Sequence, residues 1–170
     1  MYRTMSAPSH FLHLCIVLFG LSLATIVGAQ TSANSLEIKS IAEVESRSIQ
    51  AGREVVKLIP ADRVAPGDRV IYTLEVRNIG AAALSAPSIT YPIPEHMRYV
   101  ADSAVGPGAE VSYSVDAGQS FEAPENLKVL GPDGRPRLAV AADYTDIRWQ
   151  LKNSLKPNSV AFVRFRARVK

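Results

Sequence analysis

Histidine, grouped carboxylates and a ladder of arginines are the residue types here that could do chemistry, and each makes a different demand on its surroundings. A hydrolytic site needs a nucleophile, a base and an oxyanion donor within reach of one another. Three histidines occur in 170 residues. His10 and His13 belong to the N-terminal segment, and His96 follows Pro94-Glu95 in what reads as a surface loop. No Gly-x-Ser-x-Gly elbow exists to partner it. One histidine also fails to supply the zinc triads, which draw on several His or Cys ligands. Asp143 and Asp146, and the set Asp116, Glu122 and Glu125, lack the dense alternating spacing of an EF-hand. They read as ordinary strand-end and turn carboxylates. Gly106-Pro107-Gly108 has neither the following Lys-Ser/Thr nor a helix N-terminus to hold a phosphate, and reads as a turn. The expectation is a protein that is not an enzyme, with no catalytic, cofactor or metal residues; an unrecognised hydrolase is the remote alternative.

The sharpest pattern lies at the C-terminal end. Ala161, Val163, Phe165, Ala167 and Val169 alternate with Arg164, Arg166, Arg168 and Lys170, and Phe162 falls on the basic side. Period two means a strand with one apolar and one charged face. Charges on such a face can keep an exposed edge strand from pairing with other chains. The competing reading makes Phe162, Arg164, Arg166 and Arg168 a surface-binding set for an anionic glycan or lipid headgroup. Trp149 sits on the apolar side of its own strand and reads as core. Tyr91, Tyr99 and Tyr113 are undecided, and an exposed pair of them could stack on a glycan.

The elements that would carry these residues are strands. In 69–78, Val70, Tyr72, Leu74 and Val76 face one way and Arg69, Thr73, Glu75 and Arg77 the other, with Ile71 the exception on the polar face. In 145–152, Ile147, Trp149 and Leu151 oppose Asp146, Arg148, Gln150 and Lys152. Further strands are expected over 36–44, 54–59, 88–91, 97–100 and 110–115, although 41–50 could form a short helix. Turn chemistry separates them at Pro66-Gly67-Asp68, Asn78-Ile79-Gly80, Asp116-Ala117-Gly118, Gly131-Pro132-Asp133-Gly134 and Lys156-Pro157-Asn158. Seven or eight short strands between such turns predict an all-β fold, an Ig-like antiparallel β-sandwich.

The chain opens with Arg3, an apolar run from Leu14 to Val27 and the small residues Gly28-Ala29, the pattern of a cleavable signal peptide over 1–29. The run is shorter than the roughly twenty residues a bilayer span needs, so the mature protein is not expected to be transmembrane. Residues 30–58 read as an N-terminal strand or extended arm, and 59–170 as one sandwich domain. Cys15, the only cysteine, leaves with the signal. Stability then comes without disulfides. Cleavage removes one of 19 basic residues and none of 16 acidic ones, a net charge of +2 that argues against a nucleic-acid partner.

Val64-Ala65-Pro66-Gly67-Asp68, the strand to Val76 and Arg77-Asn78-Ile79-Gly80 resemble the DUF11 family of envelope and surface β-sandwich repeats. Tyr91-Pro92-Ile93-Pro94, Tyr99-Val100-Ala101-Asp102-Ser103, Ile147-Arg148-Trp149 and Leu155-Lys156-Pro157-Asn158-Ser159 follow in the family's order. The likeness covers 59–170 in a single copy, where the family usually occurs in tandem; Tyr91 stands at a position usually held by Asp. It implies a structural, spacer or adhesive module and carries over no catalytic residue.

The functional expectation is a noncatalytic exported module, periplasmic or extracellular, that contacts another envelope protein or a surface polymer. The alternative is a chaperone-like or assembly subunit that exchanges its final strand or its N-terminal arm with a partner.

Overall fold

The computed structural model describes residues 35–170; the expected signal peptide and residues 30–34 lie outside that range. The described chain is all-β, with no helix, and its strands pair antiparallel throughout. The strands are β1 (Leu36–Gln50), β2 (Arg53–Pro60), β3 (Arg69–Asn78), β4 (Ser88–Pro92), β5 (Met97–Tyr99), β6 (Ala109–Ser114), β7 (Lys128–Leu130), β8 (Pro136–Leu138), β9 (Asp146–Leu151) and β10 (Val160–Val169). Ten strands exceed the seven or eight expected. The additions, β7 and β8, have three residues each and flank the Gly131-Pro132-Asp133-Gly134 turn, too short for alternation to mark them. One sheet has the order β2-β1-β3-β10-β5, a second β4-β9-β6, and β7-β8 stands as a hairpin.

Alternation buries one face of each large sheet against the other. Val70, Leu74 and Val76 of β3, Val163, Phe165 and Ala167 of β10, and Ile147, Trp149 and Leu151 of β9 join one core. The ring centroids of Trp149 and Phe165, one from each sheet and both fully buried, lie 6.2 Å apart. Backbone space at this contact is minimal: a Cβ on Gly106 would stand 2.8 Å from Val163 Cγ1 and 3.3 Å from Trp149 Cδ1. The Gly106-Pro107-Gly108 segment is a turn, closed by Ala109 N–H donating to the Gly106 carbonyl at 3.0 Å, with Gly108 at φ +64°.

Asn78 ends β3 inside the protein and every polar group of its side chain is used. Its Nδ2 donates to the carbonyls of Ala82 and Leu155 at 2.9 and 2.8 Å, and its Oδ1 accepts from Gly80 N–H at 2.9 Å. A buried amide is tolerated because its partners replace water. Asparagine here ties the end of the strand to two loops.

The short helix that 41–50 could have formed is absent. Those residues continue β1, which pairs with β3 as far as Val44 and with β2 from Glu43 to Gln50. Ladder pairing outweighs a weak local preference. Past Val44, among the described residues, only β2 accompanies β1. Residues 45–58 are therefore a two-stranded ribbon, turned at Ala51-Gly52 with both residues at positive φ, as a type I′ hairpin requires.

Candidate binding face

Register decides which side chains share the outward face of the five-stranded sheet. Directly opposed residues of an antiparallel pair project to the same side. Because Val163, Phe165 and Ala167 are buried, their alternates Phe162, Arg164, Arg166 and Arg168 point outward together. The four residues expected to bind a surface thus lie on one line along β10.

That line does not guard an edge. β10 lies between β3 and β5, and beyond β5 the Val105 and Arg164 backbones exchange hydrogen bonds of 2.8 Å in each direction. The edge-protecting reading is corrected accordingly, because the backbone of β10 is paired on both sides. Among the described residues, the other outer strand of this sheet is β2, which pairs with β1.

The face has two unlike ends. Phe162 is 52% exposed and stands opposite Glu75, which pairs with Arg77 at 3.2 Å; Arg77 Nε in turn lies 3.9 Å from Glu37. Cations and anions alternate there. Arg164 donates from Nε to Thr73 Oγ1 at 3.2 Å in the middle of the strand. Toward the other end Arg166 is half-buried opposite Ile71, the apolar exception on β3, which is 2% exposed although it faces outward. Glu43 flanks Ile71 on the β1 side. Long polar side chains with apolar stems cover such a residue while keeping their heads in water.

At the last register position Arg168 stands directly opposite Arg69 on β3 and directly opposite Arg98 on β5. Three exposed arginines therefore cross three adjacent strands in one row. Arg168 donates from Nη1 to the Gly67 carbonyl at 3.0 Å. Among the described residues, no carboxylate forms an ion pair with Arg69, Arg98, Arg166 or Arg168. Lys170, just past β10, donates from Nζ to the Glu95 carbonyl at 2.7 Å. Sequence reasoning placed Arg69 on a polar face and left Arg98 unremarked. The signal that joins them to Arg168 is strand register.

The remaining chemistry-bearing residues have structural roles. Tyr99 and Tyr113 are buried, with their hydroxyls 2.8 Å apart, and Tyr144 stacks on Tyr113 at 4.3 Å. Burial, then the hydrogen bond to Tyr99, pushes the Tyr113 phenol up, so it stays protonated and acts as a hydrogen-bonding group rather than a base. Tyr99 Oη also accepts from Ala104 N–H at 2.9 Å. Tyr99 and Tyr113, left undecided by the sequence, are thus a buried pair and not the exposed one that could stack on a glycan. Tyr91 is half-buried and donates to Ser40 Oγ. Trp149 is core, and among the described residues its Nε1–H meets no acceptor.

Asp116 organises its own turn: its carboxylate accepts from the Ser114 and Ser120 hydroxyls and from the Gln119 and Ser120 N–H groups. Those bonds, with Ser120 the largest contributor, hold its carboxyl at about 2. Asp143 receives both Arg137 guanidinium nitrogens at 2.7 and 2.8 Å and is likewise held at about 2, chiefly by that contact. His96 is exposed in the turn before β5. Among the described residues, no group of three His, Cys, Asp or Glu side chains is placed to hold a metal ion, and no helix is long and apolar enough to cross a membrane. Comparison with family models, with curated proteins and with solved structures finds no match for this chain.

Proposed function

We propose that the chain is a noncatalytic module of the cell envelope or of the secreted proteins, an Ig-like β-sandwich that works by contact with another envelope protein or a surface polymer. The observation that carries this reading is the outward face of the five-stranded sheet. It sets Phe162, Arg164, Arg166 and Arg168 beside Arg69 and Arg98 on a rigid, hydrogen-bonded scaffold. Fixed side chains on strands suit recognition, because little ordering remains to be done on binding. The DUF11-like order of motifs over 59–170 and the signal-like N-terminus point the same way.

A photo-crosslinking residue introduced at Phe162 or at Arg98, in the native host, tests the reading. Crosslinks to a recurrent macromolecule from these positions, but not from Ser112 on the other sheet, are expected. Equal labelling from all three sites, or none, would overturn it.

One observation favours a second reading, an assembly subunit that adds a strand to a partner. β2 is the outermost strand of its sheet and exposed along nearly all its length. An unpaired edge is a template for another chain. That reading requires a stable complex or swapped oligomer, visible by sedimentation of the purified protein.

A further inference from the structure

We propose that the row Arg98–Arg168–Arg69, not the length of the β10 ladder, is a binding site for a linear anionic polysaccharide lying across the strands. The inference rests on the binding-module reading and names the partner class.

Like charges directly opposite each other in a sheet repel and weaken the pairing. Here the repulsion occurs twice, at Arg168 against Arg69 and at Arg168 against Arg98, with no ion-paired carboxylate at any of the three among the described residues. Elsewhere on the same face the opposite arrangement prevails, with Arg77 set between Glu75 and Glu37. A polyanion lying over the row supplies the missing negative charge. Neighbouring strands are about 4.8 Å apart, so the row offers guanidinium forks at a repeat near one charge per sugar over about 10 Å. Planar forks suit carboxylate and sulfate oxygens.

Two hollows adjoin the row and share Arg168. One, of about 280 Å³, is lined by Val44, Glu45, Gly67, Asp68, Arg69 and Arg168, and its carboxylates make it the poorer side for an anion. The other, of about 340 Å³, is lined by Arg98, Arg168, Val169 and Lys170, without an acid. The polymer's main contact is therefore on the β5 side, with Lys170 at its margin.

A polysaccharide fits better than the other polyanions. Phe162, the exposed aromatic of this strand, lies six residues from Arg168, about 20 Å away, so no base-stacking platform and no membrane-inserting side chain accompanies the row. Protein partners are gripped chiefly by aromatic and arginine anchors seated in pockets, and no aromatic stands among these arginines.

The test is binding of the purified protein to polygalacturonate and to dextran sulfate, measured by calorimetry, with phosphatidylglycerol vesicles alongside. Removing any one of Arg98, Arg168 or Arg69 as Ser should weaken polysaccharide binding about fivefold, the Arg98→Ser change at least as much as Arg69→Ser. Arg164→Ser should weaken it less than Arg168→Ser does, and Arg135→Ser, in the exposed turn between β7 and β8, should leave it within twofold. Because Arg168→Thr relieves the repulsion, that variant should unfold at a higher temperature than the parent while binding less, which separates lost binding from lost folding. Equal loss in Arg164→Ser, binding to vesicles but to neither polysaccharide, or binding to none would overturn the proposal. A protein crosslinked through Phe162 or Arg98 in a chain that binds no polysaccharide would overturn it while leaving the binding-module reading standing.

Discussion

The two-sheet body and the β1–β2 ribbon are made from the same kind of alternating sequence, yet they use it differently. In β3, β9 and β10 the apolar alternates meet another sheet, and Leu74, Val76, Ile147, Trp149, Phe165 and Ala167 lose all contact with water. In the ribbon Ile49 is 80% exposed, and Val56 and Leu58 remain about half exposed. The ladder hydrogen bonds are formed in both regions. What differs is whether a second layer covers one face, and only that covering supplies the hydrophobic stabilisation. Stability is thus concentrated in the body, and the ribbon is held chiefly by backbone pairing.

The largest effect that can break this comparison is at Trp149. Trp149→Ala empties the centre of the contact with Phe165 and should cost about 3–5 kcal/mol, read from chemical denaturation. Trp149→Phe should cost much less than its loss of volume suggests, because it also removes the Nε1–H that meets no acceptor among the described residues. A loss as great as in the alanine variant would mean that the indole nitrogen is satisfied in solution.

A smaller effect sharpens the comparison at the loops. Asp116 and Asp143 have folded-state carboxyls held at about 2 against an ordinary value of 3.8. A depressed folded value means that their contribution is complete above about pH 4 and is lost as the pH falls toward 2. Asp116→Asn and Asp143→Asn should therefore lower the melting temperature at pH 6 by less than the core substitution does. The gap from the parent should close on titration to pH 2. A gap unchanged by acid would show that the carboxylates act through shape alone.

Legibility in the sequence follows the same division. The boundaries of β3 and the inward placing of Trp149 and Phe165 were readable because burial imposes strict alternation, and a one-residue slip would expose the core face. The turn at Asn78-Ile79-Gly80 was readable as chemistry, though not the three hydrogen bonds that anchor Asn78 in the interior. β1 past Val44 was ambiguous, since the residues that continue the face of Ala42 and Val44 there are Ser46 and Ser48, and the apolar alternation stops. The ladder on β10 was readable as a line. Its extension into a row was not, because Arg69, Arg98 and Arg168 are brought together only by pairing among three strands that are distant in sequence. Local pattern fixes a side chain's face, while its neighbours on that face depend on sheet order.

The smallest expected effect is in the ribbon itself. Ile49→Ser and Val56→Ser remove exposed apolar groups from a region without a covering layer, so each should change stability by no more than about 0.5 kcal/mol. Amide exchange should show the same thing from the backbone. The N–H groups of 45–58 should exchange through local opening, far faster than those of β3 and β10, whose exchange should follow global unfolding. Slow exchange in the ribbon of the isolated protein, together with a large cost for either substitution, would mean that another surface already covers it. The outer edge of β2, which pairs only with β1 among the described residues, offers that surface backbone groups. Under that outcome the assembly reading would gain over polymer binding, since a ribbon stabilised only when covered is a docking strand rather than a passive extension of the sheet.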